Sequence, residues 1–189
     1  MSSYFDLLPA PGEWKEADYL PFSERGRLVE LSEGNVEILD PPTYFHQVIL
    51  LRLAMSVQYV ATAKKLGKVC FAPLPVRLWS GKTREPDLMF MSTEHASRIG
   101  EYWGVPDLAV EIISPSSAIK DRETKRREYA QAGVAEYWIV DLDDKIVEVL
   151  REAENGDYRH TARFANAEVL TSHLIEGFSL PLTELFAEP

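Results

Sequence analysis

The stretch whose reading decides the fold is Pro106 to Asp141, PDLAVEIISPSSAIKDRETKRREYAQAGVAEYWIVD. Leu108 to Ile113 and Glu136 to Val140 are short runs rich in Val, Ile, Leu, Tyr and Trp, which read as strands. Between them Ser114, Pro115 and Ser116 supply a turn, and about Ser117 to Ala132 reads as a helix. A connection of that length predicts a βαβ unit with parallel strands. One residue departs from the pattern. Every position of the first strand is apolar except Glu111, which lies where a strand covered on both faces is buried. A buried carboxylate is costly unless it is neutralised, paired or bound to a cation, so packing alone does not account for Glu111.

Outward from this unit, composition sets the bounds. The 189 residues, 46% hydrophobic and 26% charged, suffice for one domain with a substantial core and are short for two. No Gly/Ser linker or internal repeat divides them. The single cysteine, Cys70, sits in an apolar run and excludes both an intramolecular disulfide and a cysteine-based zinc cage; it reads as a buried, inert thiol. There is no basic-then-apolar leader and no run of ~18 apolar residues, so a soluble, cytoplasmic protein is expected, with no membrane partner. A net charge of -10 argues against a broad non-specific nucleic-acid coat but leaves room for a local basic cleft.

In chain order, Glu13 to Phe22 reads as a short helix with Trp14, Ala17, Tyr19 and Leu20 facing inward. Arg27 to Ser32, a turn at Glu33, Gly34 and Asn35, and Val36 to Leu39 make a hairpin. Glu30 shares a face with Leu28; its simpler reading is a half-exposed strand carboxylate, its functional one a second acidic position at a site. Pro41, Pro42 and Thr43 open the longest helix, about Thr43 to Leu66, with an inward stripe of His46, Leu50, Leu53, Val57 and Val60. His46 is thus either a core histidine bonded to backbone or a histidine at the rim of a site. Strands follow at Lys68 to Ala72 and Pro75 to Trp79, then a loop Ser80, Gly81, Lys82, and a strand Asp87 to Met91. Beyond Asp141 come hairpin strands Lys145 to Leu150 and Tyr158 to Phe164, and an ending GFSLPLTELF expected to close a sheet edge or an oligomer interface.

Asp87 and Glu111 are each embedded in a core-type strand, and on successive strands they suggest carboxylates converging on one point. Two adjacent carboxylates need a shared proton, as in an acid/base pair, or a hard divalent cation such as Mg²⁺ or Mn²⁺. The following helix bears on the choice. Asp121, Arg122, Lys125 and Tyr129 share the face that packs on the sheet, whereas Lys120, Glu123 and Arg127 suit solvent. A lysine near two such carboxylates fits phosphate chemistry, where it adds charge to the transition state or orients a water; a carboxylate-pair glycosidase has no evident use for it.

The strings PD at Pro86 and Asp87, PDLAVEIISPSS, the DxxxK of Asp121 and Lys125, and YAQAGVAEYWIVD resemble the Uma-two family of restriction-endonuclease-like proteins. That family was long catalogued as a domain of unknown function and is placed in the PD-(D/E)XK nuclease superfamily. The resemblance, which also takes in the hairpin with Glu30, the helix with His46 and the ending GFSLPLTELF, implies an α/β (α+β) fold: a mixed β-sheet flanked by helices in a single domain. It further implies a metal-dependent nuclease acting on DNA, with Asp87, Glu111 and the main-chain carbonyl of Ile112 as ligands of Mg²⁺ or Mn²⁺. Where the superfamily usually has a lysine two residues after the acidic ligand, this chain has Ile113, and Lys125 is the natural substitute. Glu30 resembles an N-terminal acidic position of such nucleases, and His46, Asp121 and Tyr129 fit supporting roles. A homodimer is expected by analogy with enzymes that cut both strands. The alternative is a non-catalytic nucleic-acid-binding or assembly module on the same scaffold, for which Ile113 and the negative charge speak.

Overall fold

In a computed structural model the described residues are 8–23, 28–100, 102–114 and 117–188. The expected turn residues Pro115 and Ser116, and Arg27 at the head of the first expected strand, lie outside them. The chain opens with helix α1 (Glu16–Ser23), shorter at its start than the sequence suggests. The N–H groups of Gly12 and Trp14 are drawn off to the carbonyl of Gly34, at 2.8 and 3.1 Å, which holds this stretch to the hairpin. That hairpin is β1 (Val29–Ser32) and β2 (Asn35–Ile38), joined by Glu33 and Gly34 at φ 51° and 77°. Two successive positive φ values match the right-handed twist of the flanking strands, and the second falls to glycine.

Helix α2 (Tyr44–Ala63) follows, with Thr43 as its cap: the Thr43 hydroxyl accepts from the His46 N–H at 3.2 Å. Its buried face is Ile49, Leu50, Leu53, Ala54, Val57 and Ala61, while Val60 is only partly covered. Next come β3 (Gly67–Phe71), β4 (Val76–Trp79), β5 (Lys82–Arg84) and β6 (Leu88–Ser92). Cys70, read from sequence as buried, is half-buried on β3, and burial still pushes its thiol pKa up, which keeps it unreactive. Lys82, assigned to a loop from sequence, begins strand β5, because its charge is met inside the protein and not by water.

A 3₁₀ turn (Thr93–Arg98) leads to β7 (Leu108–Ile113), then a helical segment, β8 (Glu136–Asp141), β9 (Ile146–Glu154) and β10 (Asp157–Ala165). The segment between β7 and β8 is a π-helix over Lys120–Lys125 that passes into α3 (Arg126–Ala132). Gly133, at φ 88°, ends α3 in the left-handed conformation, and Val134 donates back to the Tyr129 carbonyl at 2.9 Å. The chain closes with β11 (Val169–Thr171), β12 (Ser179–Pro181) and α4 (Leu182–Leu185).

The main sheet has the order β10-β9-β8-β7-β6-β3. Among its described strands only β7 and β8 pair in parallel, in the register Leu108 to Glu136 through Ile113 to Asp141, as the long crossover between them allows. A second antiparallel sheet, β2-β1-β5-β4, joins the early hairpin to the strands before Asp87. Helix α2 covers one face of the main sheet through Leu88, Phe90, Val110, Ile112, Trp138 and Val140; α3 covers the other through Met89, Ala109, Tyr137 and Ile139. Both faces of β7 are therefore out of water. The C-terminal GFSLPLTELF does not close the main sheet's edge: Phe178, Leu182, Leu185 and Phe186 join the core under α2, and Arg52 donates to the Leu185 and Ala187 carbonyls. Among the described residues no helix is long and apolar enough to cross a membrane.

Glu136 is buried at the head of β8 and shows what a structural carboxylate looks like here. It accepts from Trp138 Nε1 (3.0 Å), Ser172 Oγ (2.8 Å) and the N–H groups of His173 and Leu174 (2.8 and 3.1 Å). Glu136→Ala strands two backbone donors, so the expected loss of stability is roughly 2–4 kcal/mol. Urea unfolding should show a lower midpoint with an unchanged slope.

Candidate functional site

Asp87 immediately precedes β6, whose Leu88 pairs with Val110 of antiparallel β7; continued by one residue, this register brings Asp87 opposite Glu111. The Ile112 N–H donates to Asp87 Oδ2 at 2.7 Å and fixes the carboxylate against β7. Asp87 Oδ1 lies 3.2 Å from His46 Nε2, delivered by the first turn of α2.

Glu111, 4% exposed, projects to the α3 side of the sheet. Its Oε1 accepts from the Tyr129 hydroxyl at 2.6 Å and lies 2.9 Å from Lys125 Nζ. Ile113, on the same face two residues on, is buried in the apolar cluster. The lysine that reaches Glu111 thus comes from the helical segment, as its face in the sequence suggests. Lys125 Nζ is also 3.2 Å from Asp121 Oδ1 and 3.3 Å from Glu30 Oε1.

Glu30 corrects the simpler sequence reading. It is not half-exposed but 0% exposed, because β1 is an inner strand of the small sheet and turns this side chain toward the main one. Beyond Lys125, it is met by Arg84 Nη1 (2.8 Å) and Lys120 Nζ (2.7 Å), and it accepts from the Glu85 N–H (3.3 Å). Arg84 in turn is gripped by Glu128 through Nε (2.7 Å) and Nη2 (2.9 Å), and Lys82 joins Glu128 at 2.8 Å. Lys120 is a second correction. The helical period sets it on the solvent side, but its ammonium binds Glu30 and Glu37. Arg122, expected beside Lys125, reaches away to Glu148 and Asp141.

Arg84, Lys120, Glu85 and Glu128 were thus missed as site residues. Glu128 follows Lys125 by three positions, so helical spacing could have suggested it. Arg84 and Glu85 carried only the weak signal of charges flanking Pro86 and Asp87.

These groups surround a cavity of about 930 Å³ whose lining includes His46, Glu85, Asp87, Glu111, Asp121 and Lys125. Glu30 and Tyr129 act on it from behind. Burial, followed by the charges of Asp121, Asp87 and Glu30, pushes the Glu111 carboxyl above the ordinary range against the opposing pull of Lys125. Burial alone would lower the Lys125 pKa, but Glu111, Glu30 and Asp121 together raise it, so the lysine keeps its proton. Burial would raise Glu30, yet Lys125, Arg84 and Lys120 hold it well below the usual carboxylate range. Burial pushes Glu85 up to about 7.

Among the described residues no three His, Cys, Asp or Glu side chains form a ready metal cage. The donor set nonetheless fits a hard cation of the Mg²⁺ type, which takes one or two carboxylates and keeps several waters. Two buried polar atoms on this cavity, His46 Nδ1 and Glu85 Oε2, have no hydrogen-bond partner, and the carboxylates of Asp121 and Asp87 beside the buried Glu111 raise its pKa further.

A mixed sheet between helices, with a carboxylate pair and a lysine at one cavity, is the build of a restriction-endonuclease-like protein. The chain belongs to the Uma2 family, described as "Putative restriction endonuclease", whose model matches residues 14–183. Among solved structures it is similar to one described as "a putative nuclease belonging to DUF820" from Anabaena variabilis ATCC 29413. The TM-score is 0.76 at 17% identity, over 92% of this chain and 98% of that one, a likeness of fold. No curated protein matches the chain.

Because Glu30 is held below its ordinary value of 4.5, its charge stabilises the fold fully above that pH, and the contribution is lost as pH falls through the lower folded value. Glu30→Gln leaves buried cations short of a partner and should cost roughly 3–5 kcal/mol near neutrality. The gap in Tm between wild type and variant should be full at pH 7 and narrow below about pH 4.5. A gap independent of pH would contradict this account.

Proposed function

We propose that the protein is a divalent-metal-dependent endonuclease that hydrolyses phosphodiester bonds of DNA. The observation that carries this reading is the meeting of Asp87, Glu111 and Lys125, from three separate elements, at one cavity. Asp87 and Glu111 would hold Mg²⁺ or Mn²⁺, with the Ile112 carbonyl as a third donor. When bound, such an ion supplies Lewis-acid polarisation of a phosphoryl oxygen and lowers the pKa of a water.

The chain's own residues do the rest. Lys125 keeps a full positive charge beside Glu111, where negative charge grows on the phosphoryl group during attack. Glu30 and Asp121 hold that ammonium in place, and a group already oriented needs no reorganisation as the reaction proceeds. Tyr129 orients Glu111 by its hydroxyl, and His46 and the Ile112 N–H orient Asp87. Burial strengthens each of these interactions.

One observation favours the alternative of a non-catalytic nucleic-acid-binding module. Ile113 packs into the core where the superfamily has its lysine, and Lys125 is engaged by three carboxylates. That module would bind DNA equally well with and without chelator.

Asp87→Asn and Glu111→Gln should each lower plasmid nicking in Mn²⁺ about a hundredfold or more with the circular-dichroism spectrum unchanged. Asp87→Asn should also abolish saturable Mn²⁺ binding by calorimetry, whereas Lys125→Met keeps that binding and loses the nicking. Nicking by a homogeneous Asp87→Asn protein at the wild-type rate would overturn the proposal.

A further inference from the structure

The cavity is strongly acidic. Asp40, Glu85, Asp87, Glu111, Asp121 and Asp143 line it, and among the described lining residues the only lysines are Lys120 and Lys125, with no arginine. Lys125 is 6% exposed and surrounded by Glu111, Asp121 and Glu30, so it is not free to move outward. Lys120 differs: its side chain is 29% exposed, and its partner Glu37 is 35% exposed.

The π-helix explains how two lysines five residues apart reach one cavity. On an α-helix they would point about 140° apart. Hydrogen bonding from i to i+5 widens the turn and brings such residues closer to one face, and π-helical turns are frequent at functional sites.

Lys120 is also dispensable to the network that holds it. Arg84 Nη1 lies 2.8 Å from Glu30 Oε2 and 3.4 Å from Glu37 Oε2, the same two oxygens that Lys120 binds. Lys125 holds the other oxygen of Glu30. If Lys120 swings away, neither carboxylate is left without a cation, so the cost of an unpaired buried charge does not arise. Arg84, 1% exposed and clamped by Glu128, cannot exchange in this way.

We propose that Lys120 is a second phosphate-contacting residue, a displaceable ammonium that leaves Glu30 and Glu37 to Arg84 and engages the nucleic-acid backbone beside the reacting phosphate. A flexible four-carbon stem carrying a point charge suits that exchange. The inference rests on the nuclease reading above, and it separates a fixed lysine at the reaction centre, Lys125, from a mobile one that binds substrate.

The test compares wild type, Lys120→Gln, Glu37→Gln and Arg84→Gln. The readouts are Tm, anisotropy binding of a labelled 20-nucleotide single strand and a 20-base-pair duplex across a NaCl series in EDTA, and KM and kcat for cleavage in Mn²⁺. Lys120→Gln should keep Tm within about 2 °C, weaken binding or raise KM about three- to tenfold, and reduce the log-log salt slope by about one. Glu37→Gln removes one of the two carboxylates that hold the ammonium, leaving Glu30, and should bind as well as wild type or better. Arg84→Gln should lower Tm by more than about 5 °C.

If wild type binds and cuts while Lys120→Gln leaves affinity, KM and salt slope unchanged, the inference falls and the nuclease reading stands. If Lys120→Gln and Glu37→Gln lose Tm and affinity together, Lys120 is a structural strut and the inference also falls. Lys120-dependent binding without cleavage supports the backbone contact by Lys120 but overturns the nuclease reading, and with it the claim that the contact lies beside a reacting phosphate. A wild type that neither binds nor cuts either oligonucleotide overturns both.

Discussion

A carboxyl group inside a sheet covered on both faces has to be answered by a partner, and Glu111 imposes that demand on β7. Lys125 meets it at 2.9 Å, but a buried ammonium brings the same need with it. Glu30 and Asp121 answer Lys125, Arg84 answers Glu30, and Glu128 answers Arg84. The chain of opposite charges runs from the main sheet through the helical segment to the small sheet and back to α3. It is the reason a separate four-stranded sheet sits where it does: β1 and β5 carry the Glu30 and Arg84 that the helix's charges require.

Glu136 makes the contrast. It too is a buried glutamate, one strand over from Glu111, yet its two oxygens are filled by an indole N–H, a hydroxyl and two backbone N–H groups. Such donors satisfy a carboxylate without leaving a charge that could be exchanged for a ligand. Around Glu111 the partners are ionisable, and polar atoms of His46 and Glu85 are left unfilled on the same cavity. Burial of a carboxylate therefore does not by itself mark a site; the chemistry of what answers it does.

Much of the fold was legible because it rests on local signals. The apolar runs at Leu108–Ile113 and Glu136–Val140 and the Pro-Pro-Thr helix entry each act within a few residues. The elements around them fall where the sequence predicts, and so does the parallel pairing. Asp87, Glu111 and Lys125 were legible for a related reason: a charge in an apolar run, or a lysine in register with small and aromatic residues, breaks a pattern that can be counted. Lys82 and Arg84 were not, because a buried cation in a short strand looks like a loop until its carboxylate partner, some 45 residues away in the chain, is in view. Lys120 was set on the wrong side because a period of 3.6 was assumed where the helix runs wider.

By itself the sequence determined the βαβ unit, the early hairpin and long helix, the family to which the chain belongs, and the carboxylates and lysine that face inward, since each follows from spacing or a local string. Tertiary structure alone decided how those groups are charged and joined: that Glu30 is fully buried, that Arg84 ties the small sheet to α3 through Glu128, and that two lysines share one cavity. The physical reason is that hydrogen-bonded secondary structure is set by neighbours along the chain, whereas the cost of a buried charge depends on which distant residues fold up against it.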